Sequence, residues 1–142
     1  MTETRKSSSG FTAEERAAMK ERARELKVTQ GKEADLAAVL EKIAGLSDTD
    51  RGLATKVHEI ATQVLPRLDP KLWYGSPAYY LDGRLICFFQ ESSKFKTRYA
   101  TLGFSDNAHL DDGSMWPSAY ALTEVTPAVE TRIRDVITRA IG

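Results

Sequence analysis

The side chains in this sequence that can do chemistry are few and scattered. His109 stands with Asp111 and Asp112 in the run His-Leu-Asp-Asp-Gly. One imidazole and two carboxylates suit hard or borderline cations, iron among them. The same Asp-Asp-Gly run is also ordinary turn chemistry, because Asp side chains hydrogen-bond their own backbone. His58 follows Val57 at the edge of an apolar helical stripe and reads as a partly buried packing residue. Cys87 is the lone cysteine. A thiol is a nucleophile only when exposed and activated. Cys87 sits in the most apolar run of the chain, which predicts a buried structural role. One cysteine and two distant histidines cannot supply zinc-finger spacing. No phosphate loop or dinucleotide fingerprint occurs. Gly75-Ser76-Pro77 is not a nucleophile elbow, since the G-x-S-x-G pattern is absent. With no nucleophile–base pair at useful spacing, a non-enzymatic role is expected.

Aromatic residues offer a second kind of chemistry. Trp73, Tyr74, Gly75, Pro77 and Tyr79 crowd one stretch, and Trp116 follows later. Amphipathic rings give a small ligand both contact area and hydrogen bonds. These rings are expected either to line one pocket near a sheet end or to plug the core. Lys94, Lys96 and Arg98 interleave with Phe95 and Tyr99, the raw material of single-strand nucleic-acid binding. Read as a strand, however, residues 95–104 put Phe95 and Tyr99 on one face and Lys96 and Arg98 on the other. Twenty basic residues also balance twenty acidic ones. Neither nucleic acid nor an anionic membrane is therefore expected as a partner.

The elements that must position these groups follow from periodicity. Residues 1–11 are polar and read as a disordered tail. Thr12-Ala13-Glu14-Glu15 forms a capping box that opens a helix to about Lys27, with a linker centred on Gly31 over 28–32. This makes 12–31 a helical extension of a single domain spanning 12–142. Leu36, Val39, Leu40 and Ile43 are spaced for an amphipathic helix ending near Gly45. Ser47-Asp48-Thr49-Asp50 caps the next, with Leu53, Val57, Ile60, Ala61 and Val64 on one side. Asp82-Gly83 is a strong two-residue hairpin signal. It joins a strand through Tyr79-Tyr80 to an apolar strand over 85–89, expected at the centre of the sheet. Trp73 to Pro77 reads as a shaped entry loop, because Pro77 fixes its own φ and restricts Ser76. Strands are expected over 95–104 and 116–125. Thr126-Pro127 then starts a closing helix with Val129, Ile133, Val136, Ile137 and Ala140 on its apolar side. Helices, strands, then a helix argue for an α+β fold, an antiparallel sheet covered by helices.

Trp73-Tyr74-Gly75, Pro77-Ala78-Tyr79, a short turn and an apolar strand ending Cys87-Phe88-Phe89 resemble the signature of the YdhG-like family. That is a domain-of-unknown-function family (number 1801) grouped with the wider YjbR/CyaY-like, frataxin-like superfamily. The resemblance runs on through Lys94-Phe95-Lys96-Thr97-Arg98-Tyr99-Ala100-Thr101 and Leu102 to Asp106, and covers most of the chain after Thr12. It implies a frataxin-like α-β-α sandwich with additional N-terminal helices. Because the superfamily includes iron chaperones, it also implies a binding protein with iron as a cargo. One departure is Ser76, where the family carries Met or another apolar residue; a polar side chain there implies a more solvated loop.

A chain of 142 residues is long enough for one core without disulfides or metal. No 18-residue apolar run suggests a membrane span, and residues 1–10 lack the apolar centre of a secretory signal. The lone thiol fits a reducing compartment. A cytoplasmic monomer that binds a small ligand or a metal is the expectation.

Overall fold

The computed structural model describes residues 11–142. The tail expected over residues 1–11 lies outside the described residues except for Phe11. Four helices and a five-stranded antiparallel sheet make up the fold, an α+β architecture in the order α1 (Ala13–Ala44), α2 (Asp48–Val64), β1 (Asp69–Trp73), β2 (Ser76–Leu81), β3 (Arg84–Gln90), α3 (Ser92–Phe95), β4 (Ala100–Phe104), β5 (Ala119–Leu122) and α4 (Pro127–Ile141).

The chain divides into two compact units, one ending at Ala34 and one spanning Asp35–Gly142. The first holds most of α1. The capping box forms as read: Glu15 donates its N–H to Thr12 Oγ1, and Thr12 donates its N–H to Glu15 Oε1, each at 3.0 Å. The expected linker over 28–32 does not exist, because α1 runs through Gly31 without a break. A glycine costs an exposed helix only about 1 kcal/mol. The flanking residues are helix formers, and no proline is present to remove a hydrogen bond. Every described residue of this unit is exposed.

The second unit holds the core. Val39 and Ile43 are buried, while Leu36 and Leu40 of the same predicted stripe are exposed. Leu53, Val57, Ile60 and Ala61 of α2 join Ile133, Val136, Ile137 and Ala140 of α4 in one cluster. Thr126 caps α4 by accepting from the Val129 N–H at 3.2 Å, with Pro127 in the first turn.

The strands lie in sequence order, β1 to β5, with β3 in the middle as expected. Paired residues share a face and successive residues alternate. The register therefore puts Tyr79, Cys87, Phe89, Leu102 and Leu122 on the face that meets the core. Lys42 of α1 reaches Glu91 at 3.1 Å on that same alternation. The opposite, solvent face carries Lys71, Trp73, Ser76, Ala78, Phe88, Gly103, Ala119 and Ala121. Lys71, Ala119 and Ala121 are exposed there.

Three sequence expectations change. First, Trp73 to Pro77 is not an entry loop. Asp69–Trp73 is a strand, Trp73 pairs with Ser76, and Tyr74-Gly75 is a two-residue turn with φ of 49° and 78°. It has the same sense as the foreseen Asp82-Gly83 turn, at 51° and 82°. Left-handed backbone is unusual for tyrosine, so the sequence carried no sign of it. Pro77 is tolerated because the β2–β3 ladder begins only at Ala78, opposite Phe88. Second, Ser76 is not solvated; it is 2% exposed. Third, the strand expected from Phe95 begins only at Ala100. Residues 92–95 form α3 instead, and Lys96 turns the chain at a φ of 54°. Strand β5 is likewise shorter than 116–125, and residues 105–118 form a loop.

The reason for α3 is long-range. Asp50, fully buried at the start of α2, accepts from Ser92 N–H (3.1 Å), Ser92 Oγ (2.8 Å), Ser93 N–H (3.2 Å), Ser93 Oγ (3.0 Å) and Ser47 Oγ (3.2 Å). The Asp50 carboxylate thus caps the turn over 92–95 from 42 positions away.

Candidate functional site

Tyr80 of β2, further along the same alternation, has its ring 6.0 Å from Lys71 Nζ. At the Trp73 end of the sheet, β2 puts only the small residues Ser76 and Ala78 on the solvent face. Large side chains from the strands on either side can therefore meet above it. The indole of Trp73, on β1, crosses to Phe88, on β3, with ring centroids 4.7 Å apart and planes inclined at 39°. Phe88 in turn lies flat on β4. A Cβ on Gly103 would fall 2.3 Å from Phe88 Cζ, so only glycine leaves room for the ring. Tyr74, at the turn, stands edge-on to Trp73 at 5.0 Å and 82°, and is 84% exposed. Its carbonyl accepts from Lys94 Nζ at 3.2 Å, which ties α3 to the hairpin turn. A side chain on Gly75 would crowd that ammonium, and the positive φ adds a second reason for glycine.

The basic residues gather here too. Lys94 Nζ lies 5.4 Å from the centroid of the Phe95 ring, which is 46% exposed. Lys96 and Arg98 follow in an exposed turn, and Arg98 lies over the Tyr99 ring at 5.6 Å. Lys71 is on the same strand and face as Trp73. Among the described residues none of Lys94, Lys96 and Arg98 is ion-paired to a carboxylate, and Lys71 Nζ lies 6.0 Å from the centroid of the Tyr80 ring. Strand alternation does not separate rings from charges over 95–99, because that segment is a helical turn and a loop rather than a strand.

The sequence-predicted ligand residues do not share one pocket. Trp73, Tyr74 and Gly75 form the aromatic hairpin turn. Pro77 is buried in β2. Tyr79 faces the core, opposite to Trp73, and is 0% exposed. Its hydroxyl lies 2.9 Å from His58 Nδ1, the partner that sequence reading did not find for this histidine. Burial, with Cys87 beside it, pushes the Tyr79 phenol up. Burial also holds His58 below the usual imidazole value, against an opposing pull from Glu59. With its proton on Nε2 the neutral imidazole accepts a hydrogen bond from the phenol at Nδ1; with the proton on Nδ1 the phenol oxygen accepts instead. Trp116 precedes Ser118, whose carbonyl bonds Phe104 N–H at the end of the sheet away from the Trp73 turn.

His109 donates its backbone N–H to the Ala140 carbonyl at 2.9 Å, and its ring lies against Gly142. Asp111 and Asp112 are exposed on the following loop. Among the described residues no group of three or more His, Cys, Asp or Glu side chains is placed to hold a metal ion.

Cys87 is buried on the core face, and desolvation pushes its thiol up to about 12. Labelling of the native protein by a disulfide reagent such as DTNB at pH 8 should therefore be slow. The rate is expected to rise by orders of magnitude in urea, because only opened molecules expose the thiolate. Stoichiometric labelling within seconds under native conditions would contradict this placement.

A cleft of about 400 Å³ lies between α4 and the edge strand β5. Its floor is Leu102, Tyr120, Leu122, Val129, Ile133 and Val136, and its rim carries Arg132 and Arg139 opposite Glu124 and Asp135. The floor residues belong to or pack on the core. The cleft marks where the helices stop short of covering the fifth strand, and its rim charges balance.

Phe88, Lys71 and the exposed ring of Phe95 were missing from the sequence-predicted site. Alternation across Cys87, Phe88 and Phe89 was the available signal for Phe88, masked by a run apolar on both faces. Comparison with family models, curated proteins and solved structures returns no match.

Proposed function

We propose that this chain is a non-enzymatic binding protein whose ligand site is the aromatic hairpin on the solvent face of the sheet. One observation carries the reading. Tyr74 is 84% exposed and held at a φ of 49°, beside Trp73 and Phe88, with its carbonyl bonded to the Lys94 ammonium. Left-handed backbone at an exposed aromatic residue is strain of the kind that points to function. The groups that catalysis would recruit are committed elsewhere: Cys87 is buried, and His58 is bonded to Tyr79. Membership of the YdhG-like family, with its frataxin-like superfamily, is part of the proposal and rests on the Trp73-to-Phe89 motif. The iron-carrying role that this kinship implies has no gathered donor set behind it, so the ligand reading is preferred. The lone buried thiol supports a reducing, cytoplasmic setting, and no helix among the described residues is long and apolar enough to cross a membrane.

Amide shift mapping tests the site with two probes, AMP and indole-3-acetate, at millimolar concentration. Shifts should cluster at Trp73, Tyr74, Gly75, Phe88 and Lys94. Shifts confined to the cleft at Val129, Ile133 and Val136, or no shifts at all, would overturn the assignment.

A further inference from the structure

We propose that the aromatic hairpin face binds single-stranded nucleic acid, an inference that rests on the ligand site assigned above and names its partner class. Two features must be satisfied together. The first is charge. Lys94, Lys96 and Arg98 are exposed just before β4, and among the described residues no carboxylate is ion-paired to them; Lys71 is exposed on the solvent face beside the Tyr80 ring. The nearby acids are occupied: Glu91 pairs with Lys42, and Asp50 is enclosed by serine donors. The zero net charge of the whole chain hides this local excess. Three exposed cations without carboxylate partners, one of them tied to the aromatic turn, fit a polyanion.

The second feature is stacking. Trp73 and Phe88 lie on the sheet surface above Ser76, Ala78 and Gly103, while Tyr74 and Phe95 project beside them. Rings on a sheet face with basic side chains around them are the arrangement on which unpaired bases stack. An acidic peptide would use the cations and leave the rings idle. A lipid surface is bound by rings that project and insert, whereas Trp73 and Phe88 are packed against each other on the sheet, and the vesicle arm below tests it. Duplex DNA hides the faces of its bases in the stack and offers these rings nothing to stack on.

The test is fluorescence anisotropy of labelled dT15 and U15 against the full chain from 25 to 300 mM salt. Matched arms use a 15-base-pair duplex, poly-glutamate and phosphatidylserine vesicles. Binding should weaken linearly on a log–log plot. Each phosphate neutralised on a single strand contributes about 0.7 to the slope, so Lys94→Ala and Lys96→Ala should each lower it by about that much. Tyr74→Ala should weaken binding by about five- to a hundredfold, the range for losing one stacked base. Its melting curve should stay near that of the parent, because the ring is 84% exposed.

Absent binding to dT15 and U15, an unchanged affinity in Tyr74→Ala, or tighter binding to duplex, poly-glutamate or vesicles would each overturn the proposal. If the single strands fail while AMP still shifts Trp73 and Tyr74, the nucleic-acid inference falls and the ligand site stands. If both fail, both fall.

Discussion

Asp50→Ala is expected to destabilise the domain by about 3 kcal/mol, read as a lower urea midpoint with an unchanged slope. The carboxylate is fully buried, carries no cationic partner, and is held by five donors. Hydrogen bonds to a charged group contribute more than neutral ones, and removing the acceptor leaves amide and hydroxyl donors unsatisfied. Because two of those donors are the backbone of α3, the variant should also release the Lys94 ammonium from Tyr74. Asp50→Asn keeps the volume but turns an amide donor toward serine donors, so it should cost about 2 kcal/mol.

The pH dependence distinguishes charge from shape. Burial raises the Asp50 pKa, but the bonds from Ser92 and Ser93 outweigh it and hold the group below the usual carboxylate value of 3.8. A depressed folded pKa gives stability that is complete above the unfolded value and is lost as pH falls through the folded one. The gap between the parent and Asp50→Asn should therefore be constant from pH 5 to 7 and narrow below about pH 4. A gap that persists unchanged at pH 2 would show that the carboxylate charge contributes nothing.

Gly103→Ala is expected to destabilise by about 1–3 kcal/mol, a sign opposite to the usual one. Glycine inside a strand normally weakens it, so alanine there should help. At this position the new Cβ meets the Phe88 ring at 2.3 Å. The ring is half-buried and can swing outward only by lifting Trp73, which rests on it. Overpacking of this kind has a cost in the stated range. The cycle with Phe88→Ala isolates the cause. In the Phe88→Ala background, Gly103→Ala should be neutral or stabilising. Trp73 emission, read in a Trp116→Phe background, should shift red as the indole loses its neighbour. If Gly103→Ala is stabilising with Phe88 present, the ring does not lie where the floor of the proposed site requires it.

Much of the fold was legible because its signals are local. Thr12 with Glu15, Thr126 with Pro127, and Asp82 with Gly83 each specify their geometry within four residues. The stripes Leu53-Val57-Ile60 and Ile133-Val136-Ile137 declare which side of a helix is dry. The places where reading failed involve partners distant in sequence. Residues 95–99 look like the start of a strand, yet Asp50 supplies the acceptor that holds 92–95 as a helical turn and delays the strand to Ala100. Trp73 to Pro77 looks like a loop, yet pairing between Trp73 and Ser76 makes it a hairpin with tyrosine in a glycine-like conformation. Gly31 looks like a break, yet the surrounding helix formers carry α1 through it.

Composition and periodicity alone determined an α+β chain with an antiparallel sheet centred on residues 84–90, amphipathic helices over it, and a thiol inside. Which rings meet, and which cations crowd one end of the sheet, was decided only by tertiary pairing. Alternation fixes two faces for a strand, but register selects the neighbours across it. A single glycine on β4 can then bring a tryptophan and a phenylalanine from separate strands into one exposed surface.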